Sequence, residues 1–387
     1  MKSTQVAMSL VSRLTPSLQR VKRHWWVSVF LWLMAIAPAM ALELRVAIEE
    51  GVSQVKVGSS TEAIVRDGSG RVLGELAGMN GFLAQRHGSN IALSQWQASR
   101  IFIEPQGDGY VYIGDRWYRG RTALVSTGSS MVAINYVDLD EYLYSVIGAE
   151  MSPSWPIEAL KAQAVAARSY ALYQRQNVGN GTYDVGDTTA WQAYRGLESE
   201  ANTTQAAAEA TTGEVLSYNG GVIEAVFHSS SGGHTENVED VWTSPRPYLR
   251  GVPDYDRGAP VFQWQETFSR SGLSSRISGV GNIIAMMPER TTPRGRIVTM
   301  KVVGDAGTRL LSGDDLRKVL NLRSTLFSVI PHGQKNSAPT GFTIAGRGFG
   351  HGVGLSQWGA HNLARKGHNY RQILAHYYRN SSLAKVE

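Results

Sequence analysis

One carboxylate stands out for its surroundings. Glu150 lies in IGAEMSPSWPIEALKAQAVAARSYAL, residues 147–172, in a short turn between two helical patterns and beside Met151, Pro153, Trp155 and Pro156. An acid with apolar neighbours can be kept protonated near neutral pH, because desolvation favours the uncharged form. Such a group can donate a proton to the leaving oxygen of a glycosidic bond. The start of the following helix opposes this, since a helix N-terminus favours the ionised carboxylate. Burial moves a carboxylate by up to about 3–5 pH units, whereas the dipole contributes roughly 0.3–1 kcal/mol, so burial wins in a dry site. The structural alternative is that Glu150 caps the second helix.

Glycan hydrolases ordinarily use two carboxylates. Glu158 lies in the second helical pattern, and capping accounts for Asp138, Asp140 and Glu141. No second acid is marked by its context. One acid/base suffices if the substrate carries its own nucleophile, as the 6-hydroxyl of N-acetylmuramic acid (MurNAc) does when it closes onto its own anomeric carbon.

A second candidate is the glycine loop Gly346–Gly354, with Arg347, His351, Ser356 and Gln357 in or after it. It lacks the lysine of a phosphate-binding loop and the spacing of a dinucleotide fingerprint. Its GLSQWG segment is not a nucleophile elbow. Close approach of backbone to a sugar chain fits it better, with His351 and Gln357 supplying hydrogen bonds; a structural turn fits equally. His228 and His234 flank a serine-rich turn, and Glu239 or Asp240 could join them, but zinc requires three or four convergent ligands and the set is incomplete. Trp242, Trp264 and Trp358 are either sugar-stacking platforms or core.

The elements that hold these residues are readable in outline. β-rich runs recur at Leu44–Ile48, Gln54–Val57, Glu62–Arg66, Arg100–Glu104, Tyr110–Ile113 and Met131–Val137, separated by glycine turns. Asp138 is a predicted N-cap with Glu141 at capping-box spacing, and the helix it opens stops at Gly148. A second, alanine-rich helix starts near Pro156, and a third spans 202–211 with Gln205 completing its cap. Asn219-Gly220-Gly221 marks a hairpin between Gly213–Tyr218 and Val222–Phe227. A less distinctive stretch runs to about residue 340; helices follow from about Ser356 and in the segment bearing His376, Tyr377 and Tyr378. The expected fold class is α+β: a β-rich region, 42–135, followed by a mixed α/β catalytic domain, 136–387.

Residues 1–41 read as an export signal. Arg20, Lys22 and Arg23 precede an apolar run, Trp25–Ala37, and Ala39-Met40-Ala41 gives small residues at a cleavage spacing. The run is shorter than the roughly 20 residues that span a bilayer; an uncleaved anchor is the alternative. The 38 basic and 32 acidic residues give a net charge of +6, but five basic and no acidic residues fall in 1–41, so 33 against 32 leaves +1 after removal. The basic balance thus gives no support for nucleic-acid binding. With no cysteine there is neither a disulfide framework nor thiolate chemistry. The periplasm or cell-wall space is the expected location.

Three blocks, EYLYSVIGAEMSPSWPIEALKAQAVAARSYAL, TTGEVLSYNGGVIEAVFHSSSGGHTENVEDVW with PYLRGV, and GHGVGLSQWGAHNLARKGHNYRQILAHYY, resemble, in order, the stage II sporulation protein D (SpoIID/LytB) family. The resemblance frames 138–380. It implies a lytic transglycosylase that cleaves the bond between MurNAc and N-acetylglucosamine (GlcNAc) in denuded peptidoglycan glycan strands. It also implies that Glu150 is the catalytic acid. Arg168, His351, Ser356 and Gln357 are the expected positioning residues. No cofactor is implied. Other members of the family are amidase enhancers, so a wall-binding partner of an N-acetylmuramoyl-L-alanine amidase is the alternative. Some members bind zinc partly through cysteines near the segment matching His228–Asp240; this chain has none, and the metal is not carried over.

Overall fold

The computed structural model describes residues 42–386 except Thr243, Lys335 and Asn336. The expected export signal, 1–41, lies outside the described residues. The fold is α+β, with its strands concentrated at the N-terminal side.

From Glu43 to Asp138 the chain makes twelve strands. Arg100–Pro105 shows why: Ile101 and Ile103 are fully buried while their neighbours are not, the period of two that a half-buried strand requires. Seven strands form one sheet, in which Glu43–Val52 lies between Met131–Asp138 and the short Val185–Gly186; six form a second. Val46, Val65, Ile101 and Leu124 of the first sheet share a core with Val57, Ile91, Val111 and Ile113 of the second. The same core continues through Tyr142, Leu160, Val226 and Tyr377, so one apolar interior crosses residue 135.

The helix Leu139–Glu150 grows directly from the strand Met131–Asp138. Asp138 caps it, its carboxylate accepting from the N–H groups of Asp140 and Glu141 at 2.8 and 3.2 Å. Its end differs from expectation. Gly148 does not stop the helix, and Glu150 is its last residue rather than part of a turn. Gly148 serves packing instead: a Cβ there would collide with the Ser199 carbonyl oxygen. The long helix Ile157–Asn177 is buried on nearly every side, as its alanines permit. Pro156 is its N-cap, just before the first turn. The helix Asn202–Glu209 is shorter than expected, and Thr204 rather than Gln205 closes its start, with the Ala201 N–H donating to the Thr204 hydroxyl at 3.0 Å. The Asn219-Gly220 hairpin forms with left-handed φ values of 51° and 81°, but its second strand ends at Val222. Phe227–His228 instead pairs in parallel with Leu355–Ser356.

The stretch between 263 and 347 has a core of its own. It departs and returns on paired strands, Gln263–Ser269 against Gly341–Arg347. A second three-stranded sheet and the helices Arg270–Arg276 and Gly313–Leu320 enclose Leu273, Met300, Leu316 and Phe342. Its exit strand runs directly into the glycine loop.

Arg168 was expected to position substrate. It is fully buried on the long helix instead, paired with Asp140 at 2.6 Å and donating to the carbonyls of Ala208 and Glu214 at 3.2 and 3.1 Å. It ties the long helix to two other helices and a strand, because its fixed fork of donors satisfies an acid, a carbonyl at the end of Asn202–Glu209 and the first carbonyl of the strand Glu214–Tyr218 at once. Arg168→Met leaves those acceptors unpaired and should cost about 3 kcal/mol in urea unfolding. A variant as stable as the parent contradicts this structural role.

Candidate functional site

The expected catalytic acid opens into a cleft of about 550 Å³ assembled from distant segments. The first helix contributes Glu150, the long helix Tyr170, and the loop before residue 195 Trp191. Glu224, Phe227 and His228 come from the chain beyond the hairpin, and Trp242 from the end of a short helix. Phe349, His351 and Gln357 come from the glycine loop and the helix after it, and Arg317 from the 263–347 insertion.

Glu150 is half-buried. Its Oε1 accepts from the Ala193 N–H at 2.8 Å and its Oε2 from the Gln357 amide at 3.2 Å. Burial raises its pKa above the ordinary carboxylate value; the two hydrogen bonds and the charge of Arg195 oppose this without reversing it. The helix acts on Glu150 in the opposite direction to the one expected from sequence. Glu150 ends a helix rather than opening one, and a helix C-terminus repels negative charge. Dipole and desolvation therefore act together. The expected apolar wall is also different. Trp155 packs on Trp358 and His361, with ring centres 4.6 and 4.8 Å away, and the cleft walls are Trp191, Phe227 and Trp242.

The glycine loop places two histidines side by side, with ring centres 5.2 Å apart. His351 Nε2 lies 2.9 Å from the Phe227 carbonyl and must donate to it; its Nδ1 then accepts from the Val353 N–H at 3.1 Å. His228 Nδ1 donates to the Val353 carbonyl at 3.0 Å, which leaves Nε2 a bare acceptor, buried and unpartnered among the described residues. Gly350 makes this approach possible: a Cβ there would stand 2.8 Å from the Cβ of His228, and its φ of 107° suits glycine. Burial first, then neighbouring positive charge, holds both rings neutral; the His351 pKa falls to about 4 and that of His228 well below its usual value.

The remaining sequence candidates separate. Gln357 touches Glu150 and His351 lines the cleft. Ser356 is fully buried and caps the helix Gln357–Arg365, accepting from the Gly359 N–H at 3.3 Å; it is not among the residues that line the cleft, because the helix start consumes its hydroxyl. His234 turns to the Thr235 carbonyl and Glu239 pairs with Arg250, so neither joins His228. No group of three or more such ligands converges among the described residues, and the side chains do not fit a zinc site. Of the three tryptophans, only Trp242 lines the cleft.

Sequence reading missed Trp191, Glu224 and Arg317. Glu224 had a signal, being the one acid in the apolar run Val222–Phe227. It is half-buried, and burial raises its pKa against the charge of Arg246. Arg317 had none: beside Asp314 and Asp315 it reads as ordinary surface charge.

A histidine whose pKa is depressed on folding binds fewer protons than in the unfolded chain between about pH 4 and 6.5. Stability attributable to His351 is therefore complete above that window and lost as pH falls through it, by at most about 3 kcal/mol. NMR should show the His351 ring neutral with its proton on Nε2 at pH 6. A ring titrating at the ordinary value contradicts the geometry.

Two family models match this chain. One described as "Stage II sporulation protein" covers residues 127–218 and includes Glu150 and the helices around it. The other, a domain of unknown function, covers 253–354, the insertion and the whole glycine loop. Stage II sporulation protein D of Bacillus subtilis is 32% identical over 280 residues, 66% of this chain and 77% of that protein. An uncharacterized protein of Brachyspira hyodysenteriae is 33% identical over 289 residues, 72% of this chain and 74% of that one. The amidase enhancer of Bacillus subtilis is 33% identical over 293 residues, 62% of this chain but only 40% of the enhancer. With identity above 30% across three quarters of a relative's length, and with the matched residues carrying the cleft's acid, this chain belongs to the stage II sporulation protein D family.

Proposed function

We propose that this chain acts on the bacterial cell wall after export, cleaving the MurNAc–GlcNAc β-1,4 bond of peptidoglycan without water. Glu150 donates its proton to the glycosidic oxygen as the bond to C1 of MurNAc breaks. The 6-hydroxyl of the same MurNAc attacks C1, and the Glu150 carboxylate takes the hydroxyl proton. The acid is restored, GlcNAc leaves as a free end, and a 1,6-anhydro sugar remains. One residue serves both proton transfers, so its pKa must lie above that of a solvated carboxylate. The observation that carries this reading is the half-buried carboxyl at a helix C-terminus, raised by burial and facing a cleft.

Glu150→Gln keeps an oxygen to accept from the Ala193 N–H and should fold normally. It should lose about 10²–10⁴-fold in release of anhydro-muropeptides, measured by mass spectrometry on denuded strands. Undiminished release removes Glu150 from the role. Gln357→Leu deletes a donor that favours the ionised form, so the alkaline limb of the activity profile should move to higher pH. A shift to lower pH contradicts the assigned hydrogen bond.

A second reading rests on the likeness to the amidase enhancer: a non-catalytic wall module that stimulates an N-acetylmuramoyl-L-alanine amidase. Purified protein incubated alone with glycan strands separates the two. Anhydro ends support the enzyme; products that require added amidase support the enhancer. Products with water at the new end, dependent on Glu224, point to two-carboxylate hydrolysis instead.

A further inference from the structure

Arg317 is the feature of the cleft that this mechanism does not use. It projects from the helix Gly313–Leu320 of the insertion, whose Leu316 and Leu320 are buried in the insertion's own core. The insertion is fastened to the cleft floor by a second arginine. Arg296 is fully buried, lies 3.6 Å from the Glu236 carboxylate, and donates to the carbonyls of Ser231 and Gly350 at 2.9 and 3.3 Å. Arg317 is thus held over the cleft by a rigid element rather than by a loop.

Its surroundings leave it unanswered. Among the described residues it forms no ion pair and its side chain makes no hydrogen bond, although Asp314 lies one turn away on the same helix. The other titratable groups lining the cleft, Glu150, Glu224, Tyr170, His228 and His351, are all displaced toward their neutral forms by burial. A guanidinium stays ionised throughout. Arg317 is the one guanidinium lining the cleft, and among the described residues it is unpaired, which suits a planar anion bound through two parallel donors. If the Proposed function holds, the sugar at the reacting bond is MurNAc. Its 3-O-lactyl group ends in a carboxylate when the peptide is absent, and in an uncharged amide when the peptide is attached.

On that reading, we propose that Arg317 is the specificity-determining residue that pairs with the free lactyl carboxylate of MurNAc in the cleft, so that a strand is accepted where its peptide has been removed. The insertion thereby supplies substrate selection, while the segments around Glu150 supply the chemistry.

Binding tests this without turnover. In the full-length protein carrying Glu150→Gln, short glycan strands with free lactyl groups are compared with the same strands converted to lactyl methylamides. With Arg317 present, amidation should weaken binding about tenfold; in Arg317→Gln the two strands should bind alike. Arg317→Lys should keep part of the preference, and added salt should shrink it. An equal effect of amidation with and without Arg317, or tighter binding of the amidated strand, overturns the proposal. If the coupling appears but the protein with intact Glu150 releases no anhydro ends, the anion subsite stands and the catalytic reading falls. If no strand binds, both fall.

Discussion

The cost of ionising one carboxyl group in poor solvent governs this structure. Glu150 could be solvated by a small displacement of the first helix, and then it would be an ordinary acid. What prevents this is burial at the end of a helix whose cap, Asp138, and whose packing glycine, Gly148, fix where its last turn falls. The Ala193 N–H and the Gln357 amide hold the carboxylate in place while moderating the shift. A group shifted too far would donate poorly, and one not shifted would arrive ionised. These bonds set a balance as well as an orientation.

A second constraint joins the two halves of the cleft. Fully buried ion pairs are seldom a net source of stability, since desolvation offsets the attraction. The pair Arg296–Glu236 has a different use. The guanidinium closes carbonyls on the serine-rich turn and on the glycine loop, and it lies where a side chain on Gly352 would stand. The insertion, the loop bearing His351 and the turn after His228 are therefore tied together at one buried guanidinium. The same strut sets where Arg317 stands relative to Glu150, so charge and acid are spaced by the core rather than by a flexible link.

Local signals read well where the determinant is local. The Asp138 cap, the alanine-rich helix and the Asn219-Gly220 turn follow from short-range chemistry and appear as expected. Asn80–His87 was not legible, because most of its surface is exposed and the alternation that marks a strand is weak, and Asn90–Leu93 alternates over only four residues, too few to stand out. Glu150 and Gln357, 207 positions apart, were both recognisable as candidates, but not as partners. Arg168 shows the converse: an arginine in a recognised block drew a substrate role, yet its acceptors, Asp140, Ala208 and Glu214, come from three other elements. Ser356 was taken for a ligand although its type and position also suited a helix cap. The insertion's core and Arg317 depend on strands that pair across nearly the whole segment, and no local pattern announces them.

The most direct test of the central claim is the carbon-13 NMR titration of the Glu150 side-chain carboxyl in protein labelled at glutamate, assigned by the signal lost in Glu150→Gln. The account predicts a midpoint above the ordinary glutamate value of 4.5. A midpoint at or below that value would mean that the hydrogen bonds outweigh burial and helix position, and that this acid reaches its substrate already ionised.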